Sequence, residues 1–126
     1  LTLAENLELE SQALLHHDAS ILTAVDHGDR LAQMQQRLQQ SLTSGTTVIA
    51  RYRFDTLSVS LLVPFGVQTG LSLGFTGRGT VTEQTFDRSG KLTASRSSAF
   101  DLTFAMRRAT GARWLLVAVL PVTSGT

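Results

Sequence analysis

Apolar residues along the chain change their spacing once, near residue 44, and that change divides it into a helical part and a stranded part. Before it, Leu3, Leu7 and Leu14 recur at spacings that share one helical face, and Glu5, Glu8 and Glu10 place negative charge early, where a helix dipole favours it. This predicts a helix from about Thr2 to His16. Asp18 can cap a short second helix carrying Ile21, Leu22 and Val25; Gly28 breaks it, and Asp29 can cap a third. In the third, Leu31, Met34, Leu38 and Leu42 form a stripe, with Gln33, Gln35, Gln36, Gln39 and Gln40 largely on the other sides.

From Thr46 the period becomes two. Val48, Ala50, Tyr52 and Phe54 share one strand face, and then Leu57, Val59, Leu61 and Val63 continue on odd numbers. Such a parity change requires a bulge or bend at Asp55–Thr56, because a slip of one residue turns every side chain to the other face. Leu71, Leu73, Phe75 and Val81 keep one parity across Gly77 and Gly79, where missing side chains let a long strand curl. Asp87-Arg88-Ser89-Gly90 is a hairpin turn, and Ala109-Thr110-Gly111-Ala112 is a second turn. Between them Phe100, Leu102, Phe104 and Met106 alternate with Asp101, Thr103, Ala105 and Arg107. Trp114 to Leu120 is apolar on both faces, which predicts a central strand or one with a second cover. The expectation is a single α+β domain over 1–123, with helices at about 2–43, a curved meandering antiparallel sheet at about 46–122, and a tail at 124–126.

Two stretches carry a likeness to a known family. "SQALLHHDASILTAVDHGDRLAQMQQRL" ends a helix at a polar, Asp-containing corner and follows it with a short helix. "FDLTFAMRRATGARWLLVAV" ends a strand in basic residues, turns through Gly and enters an aromatic-led last strand. In this order the chain resembles the nuclear transport factor two-like superfamily, whose cone-shaped α+β fold is shared with ketosteroid isomerase-like enzymes. The resemblance implies a pocket between sheet and helices, catalytic in some relatives and filled by side chains in others. Its lining here is expected to be apolar, drawn from Tyr52, Phe54, Phe100, Phe104 and Met106, with Tyr52 as the main polar group and room for a small apolar ligand. Enzymatic relatives place an Asp base and Tyr or Asp donors in the cone. Tyr52 is the only Tyr here, Asp101 falls on the face opposite Phe100 and Leu102, and no carboxylate pair can be carried over.

Composition narrows the function classes. The chain's 126 residues suffice for one domain. Its 11 basic and 10 acidic side chains nearly cancel, so the field that non-specific nucleic-acid binding needs is missing. The absence of Cys excludes a disulfide framework, thiolate metal sites and a Cys nucleophile. Basic charge resides on Arg except for Lys91, a bias that points to a GC-rich bacterial source. The longest apolar run, Trp114 to Val122, is well short of the ~20 residues of a membrane helix.

His16, His17 and Asp18, with Asp26, His27 and Asp29, form the main polar cluster, and capping explains it better than metal binding: adjacent histidines at a helix end diverge by about 100°. Gly77-Arg78-Gly79 opens no helix and cannot cradle a phosphate. Arg51 and Arg53, with Arg107, Arg108 and Arg113, fit the solvated face of a sheet, and Ser58, Ser60 and Ser72 have no His partner for nucleophilic catalysis. No catalytic residue, metal or cofactor is assigned. The expectation is a non-catalytic interaction or accessory domain, part of a longer secreted or membrane-anchored bacterial protein, with an isomerase-like or small-molecule-binding enzyme as the alternative. Its partner is expected to be a protein, a second copy or a neighbouring domain, with Leu115, Val117 and Val119 as the interface of a homodimer.

Overall fold

In the computed structural model, which describes residues 2–62, 72–108 and 114–121, three helices precede four strands. Helix α1 spans Thr2–His16, α2 Ala19–Val25 and α3 Gly28–Ser44. Asp18 caps α2, its side chain accepting from the Ser20 amide at 3.0 Å. The N-cap position of α3 is His27, whose side chain makes no capping hydrogen bond, and not Asp29, because the helix already starts at Gly28, one residue before it. Gly45 closes α3 in the left-handed conformation, its amide bonded to the Ser41 carbonyl at 2.8 Å.

The strands β1 (Thr47–Leu62), β2 (Ser72–Phe86), β3 (Leu92–Arg108) and β4 (Trp114–Pro121) form one antiparallel meander in the order β1-β2-β3-β4. The fold is α+β, with the three N-terminal helices packed on a four-stranded antiparallel sheet. Register shifts between Phe54 and Thr56, leaving Asp55 without a partner, at the position where the parity change requires a bulge. Asp87 holds the β2–β3 turn, its Oδ1 accepting from the amides of Ser89 and Lys91, while Gly90 takes φ +86°. Leu71 and Val63, and the turn at Ala109–Ala112, lie outside the described residues.

Three features of the pattern fall differently from the sequence expectation. In α3 the buried positions are Arg30, Met34, Leu38 and Ser41, while Leu42 is exposed and Leu31 is half-buried. Polar contacts rotate the helix: Glu10 draws in Arg30, and Ser41 meets Thr47 and His17. In β1, Ile49 is buried and Val48 exposed. Helix α1 runs along this strand, with Ser11 Oγ donating to the Ala50 carbonyl at 3.1 Å and Arg51 paired with Glu8 at 2.6 Å. Ile49 therefore joins Ala13, Leu14, Leu22, Met34 and Leu38 in one core cluster, while Tyr52 and Phe54 pack on the other with Leu3 and Leu7. In β4, Ala118 faces Ala105 and Leu116 faces Met106, so Val117 is the extra residue of a bulge. Val119 is thereby turned to the Phe104 side and packs on the core.

Gly77 and Gly79 serve close approach. A Cβ on Gly79 would lie 1.9 Å from the Arg53 carbonyl oxygen, and one on Gly77 would lie 2.7 Å from the Phe54 ring. The strand is bare there because the β1 bulge and the Phe54 side chain occupy the space.

Candidate functional site

The five residues expected to line a pocket do converge, and among the described residues they pack on one another. Phe104 and Met106 are fully buried and Phe100 nearly so, with Tyr52 and Phe54 packed against them. Tyr52 and Phe54 each meet Phe100 edge-on at 5.4 Å between ring centres, and each meets Phe104 at 5.6 Å. Such T-shaped contacts set the positive rim of one ring against the negative face of the next. Phe54 and Phe100 are both in register with Gly79, and the missing side chain between them lets rings two strands apart touch.

Beside these rings lies a polar cluster assembled from all three layers of sequence. Glu10 of α1 grips Arg30 of α3 with both carboxylate oxygens, Oε1 to Nη2 at 2.6 Å and Oε2 to Nε at 2.8 Å. The pair is sealed, at 3% and 6% side-chain exposure. Arg30 Nη1 donates to Gln33 Oε1 at 3.0 Å. Asp26, at the corner between α2 and α3, is 1% exposed, and neither of its carboxyl oxygens accepts a hydrogen bond. Its proton affinity is pushed up to about 9, first by burial and then by the neighbouring Glu10 carboxylate; the Arg30 charge opposes this only in part. Burial also raises Tyr52, against the pull of Arg30.

The backbone of the same corner is fastened to the sheet. Asp26 forms a parallel bridge with Leu116, and the His27 amide donates to the Leu116 carbonyl at 2.9 Å. Buried Asn6 completes the joint, its amide nitrogen donating to the carbonyls of Val25 (3.2 Å) and Trp114 (2.9 Å).

The remaining residues singled out in the sequence are dispersed. His16 meets Gln12, His17 meets Ser41, and Asp18 is engaged in its cap. Among the described residues no three His, Asp or Glu side chains gather as metal ligands do. Arg78 pairs with Asp101 at 3.4 Å and Arg53 with Asp55 at 3.8 Å, all largely exposed. Leu115, Val117 and Val119 are half-buried, and register with Arg107, Ala105 and Thr103 places Leu115, Ala118 and Leu120 together on the face away from Leu116. Of these, Leu120 is 54% exposed. An apolar groove of about 240 Å³ opens at the start of α1, between Leu3, Ala4, Phe54 and Leu57. Among the described residues, no helix is long and apolar enough to cross a membrane.

Sequence reasoning assigned Glu10 to the helix dipole and Asp26 to a cap, and did not single out Arg30. The one legible signal was Glu10 standing on the Leu3–Leu7–Leu14 side of its helix, three residues from Leu7 and four from Leu14.

No protein-family model matches the sequence, and no curated protein matches it. Among solved structures the chain is similar to the intermembrane space region of the chloroplast protein ARC6, with a TM-score of 0.65 over 96% of this chain and 92% of that one. Identity is 16%, so the likeness is one of fold.

Proposed function

We propose that the chain is a non-catalytic interaction or accessory domain, one part of a longer secreted or membrane-anchored bacterial protein, built on the nuclear transport factor two-like plan. The observation that carries this reading is the mutual packing of the aromatic rings among the described residues. Four rings pack on one another inside the described fold, and Glu10 and Asp26 are buried beside them. A base must reach to about 3 Å of the proton it removes, and Asp26 at 1% exposure offers substrate no such approach. What the domain presents to solvent is surface: Val59 at 59% exposure and Leu120 on opposite faces of the sheet. The likeness to a region that lies in an intermembrane space supports a setting outside the cytoplasm.

The partner is a protein, a second copy of the chain or a neighbouring domain. A photo-reactive residue placed at Val59, at Leu120 or at Arg96, an exposed position of β3, in the full-length protein tests this. Cross-linking in cells to one discrete protein or domain from at least one site supports the reading; no adduct from any of the three overturns it. A second reading, an isomerase-like or small-molecule-binding enzyme, is favoured by the Glu10–Asp26 carboxyl pair with Tyr52 close by. It requires the ring cluster to open. An apolar ligand that raises the melting temperature of the wild type, and fails to do so in Phe104→Trp, would establish it.

A further inference from the structure

We propose that Asp26 is a proton-held latch: as a neutral acid it keeps the α2–α3 corner fastened to β4, and when ionised it drives the corner off the strand. Three observations meet at this residue. It is buried with two unsatisfied carboxyl oxygens, which is costly for a carboxylate and tolerable for an acid. It faces a pair that is already matched: Glu10 from α1 takes Nε and Nη2 of Arg30 from α3, and Gln33 takes Nη1. Its own backbone makes the bridge to Leu116, and the next residue donates the hydrogen bond to that strand.

Charge bookkeeping shows why the proton matters. With Asp26 neutral, the Glu10 carboxylate and the Arg30 guanidinium cancel. With Asp26 ionised, two carboxylates face one guanidinium in a site shut off from water. Among the described residues, Tyr52 from β1 is the remaining titratable group near the cluster, and its own proton is held more tightly than usual by burial. Arg37 of α3 acts on Tyr52 from further away, and His27 and Asp29 on the corner itself are exposed. β4 contributes main-chain groups to the joint. No group in this set supplies a second hydrogen-bonded cation to Asp26, so the unmatched charge is relieved by admitting water, and the attachment that must part to admit it is the corner on Leu116.

The test is a carbon-detected NMR titration of the Asp26 carboxyl alongside amide exchange at His27. The expected result is that Asp26 stays protonated through neutral pH. As it ionises, His27 protection should fall by at least ~tenfold beyond the ordinary base-catalysed trend, and Asp26→Asn should keep its protection over the same range. Glu10→Gln should move the Asp26 titration downward, because Arg30 is then free to pair with it. Titration of Asp26 with the ordinary carboxylates below pH 5 would overturn the proposal, as would His27 protection indifferent to Asp26 ionisation. The wild-type titration decides the matter even if a variant fails to fold.

Discussion

At the scale of single residues, Arg30 and Gly79 show how the cost of a change depends on what surrounds the atom. Replacing Arg30 with Met leaves Glu10 and Asp26 as two buried acids without a cation, so a loss of about 3–5 kcal/mol is expected in urea unfolding. Glu10→Leu together with Arg30→Met should recover most of that loss, since the uncompensated charge is gone. Gly79→Ala forces a methyl into the Arg53 carbonyl, a backbone atom that cannot swing aside, and should cost ~1–3 kcal/mol or more. Gly77→Ala meets the Phe54 ring instead, and should cost less wherever that ring can tilt. Stability near Asp26 should also follow pH. Its affinity for the proton is raised from the ordinary 3.8 to about 9, so in that window the folded chain holds one more proton than the unfolded chain. Stability from this group is therefore complete in acid and is lost as pH rises through about 9. The melting temperature of Asp26→Asn should gain on the wild type as pH goes from 5 to 9.

At the scale of elements, legibility in the sequence followed the chemistry of the side chains. The bulge at Asp55 was readable because apolar residues on both sides of it changed parity, and β3 was readable because Phe100, Phe104 and Met106 alternate with polar positions. The bulge at Val117 was not, because every residue around it is apolar and parity has no contrast to mark it. The rotation of α3 was hidden for the opposite reason: its inward stripe includes Arg30 and Ser41, which hydrophobic periodicity counts as outward. The candidate site was hidden in the same way. A buried ion pair between residues 10 and 30 appears only once the helices are placed. Asn6 belongs to this class too, and Asn6→Leu should orphan the carbonyls of Val25 and Trp114, lowering stability by ~1–3 kcal/mol in thermal unfolding.

At the scale of the molecule, the outer face of the sheet decides whether the domain stands alone. Register gathers Leu115, Ala118 and Leu120 there, in place of the expected Leu115, Val117 and Val119, with Thr103 and Ala105 alongside. If this is the face by which two copies meet, light scattering at tens of micromolar gives a dimer mass, and Leu120→Asp returns a monomer with an unchanged melting temperature. A monomeric wild type assigns the face to a neighbouring domain or to solvent.

The hydrogen bond from Asn6 to Trp114 joins positions 108 residues apart, and Leu3 and Leu7 lie in the same cluster as Phe100, Phe104 and Leu116. The first helix of the domain thus takes part of its cover from the last two strands, and the rest from α2, α3 and β1. While β3 and β4 are still being synthesised, Leu14 already has its partners in Leu22, Met34, Leu38 and Ile49, but Leu3 and Leu7 lack Phe100, Phe104, Met106 and Leu116, so the first turns of α1 gain their full native burial only after the last strand is made. Folding that must join the two ends of the chain is also slow to start, and a refolding time in the ms–s range is expected in stopped-flow, well behind helical bundles of equal length.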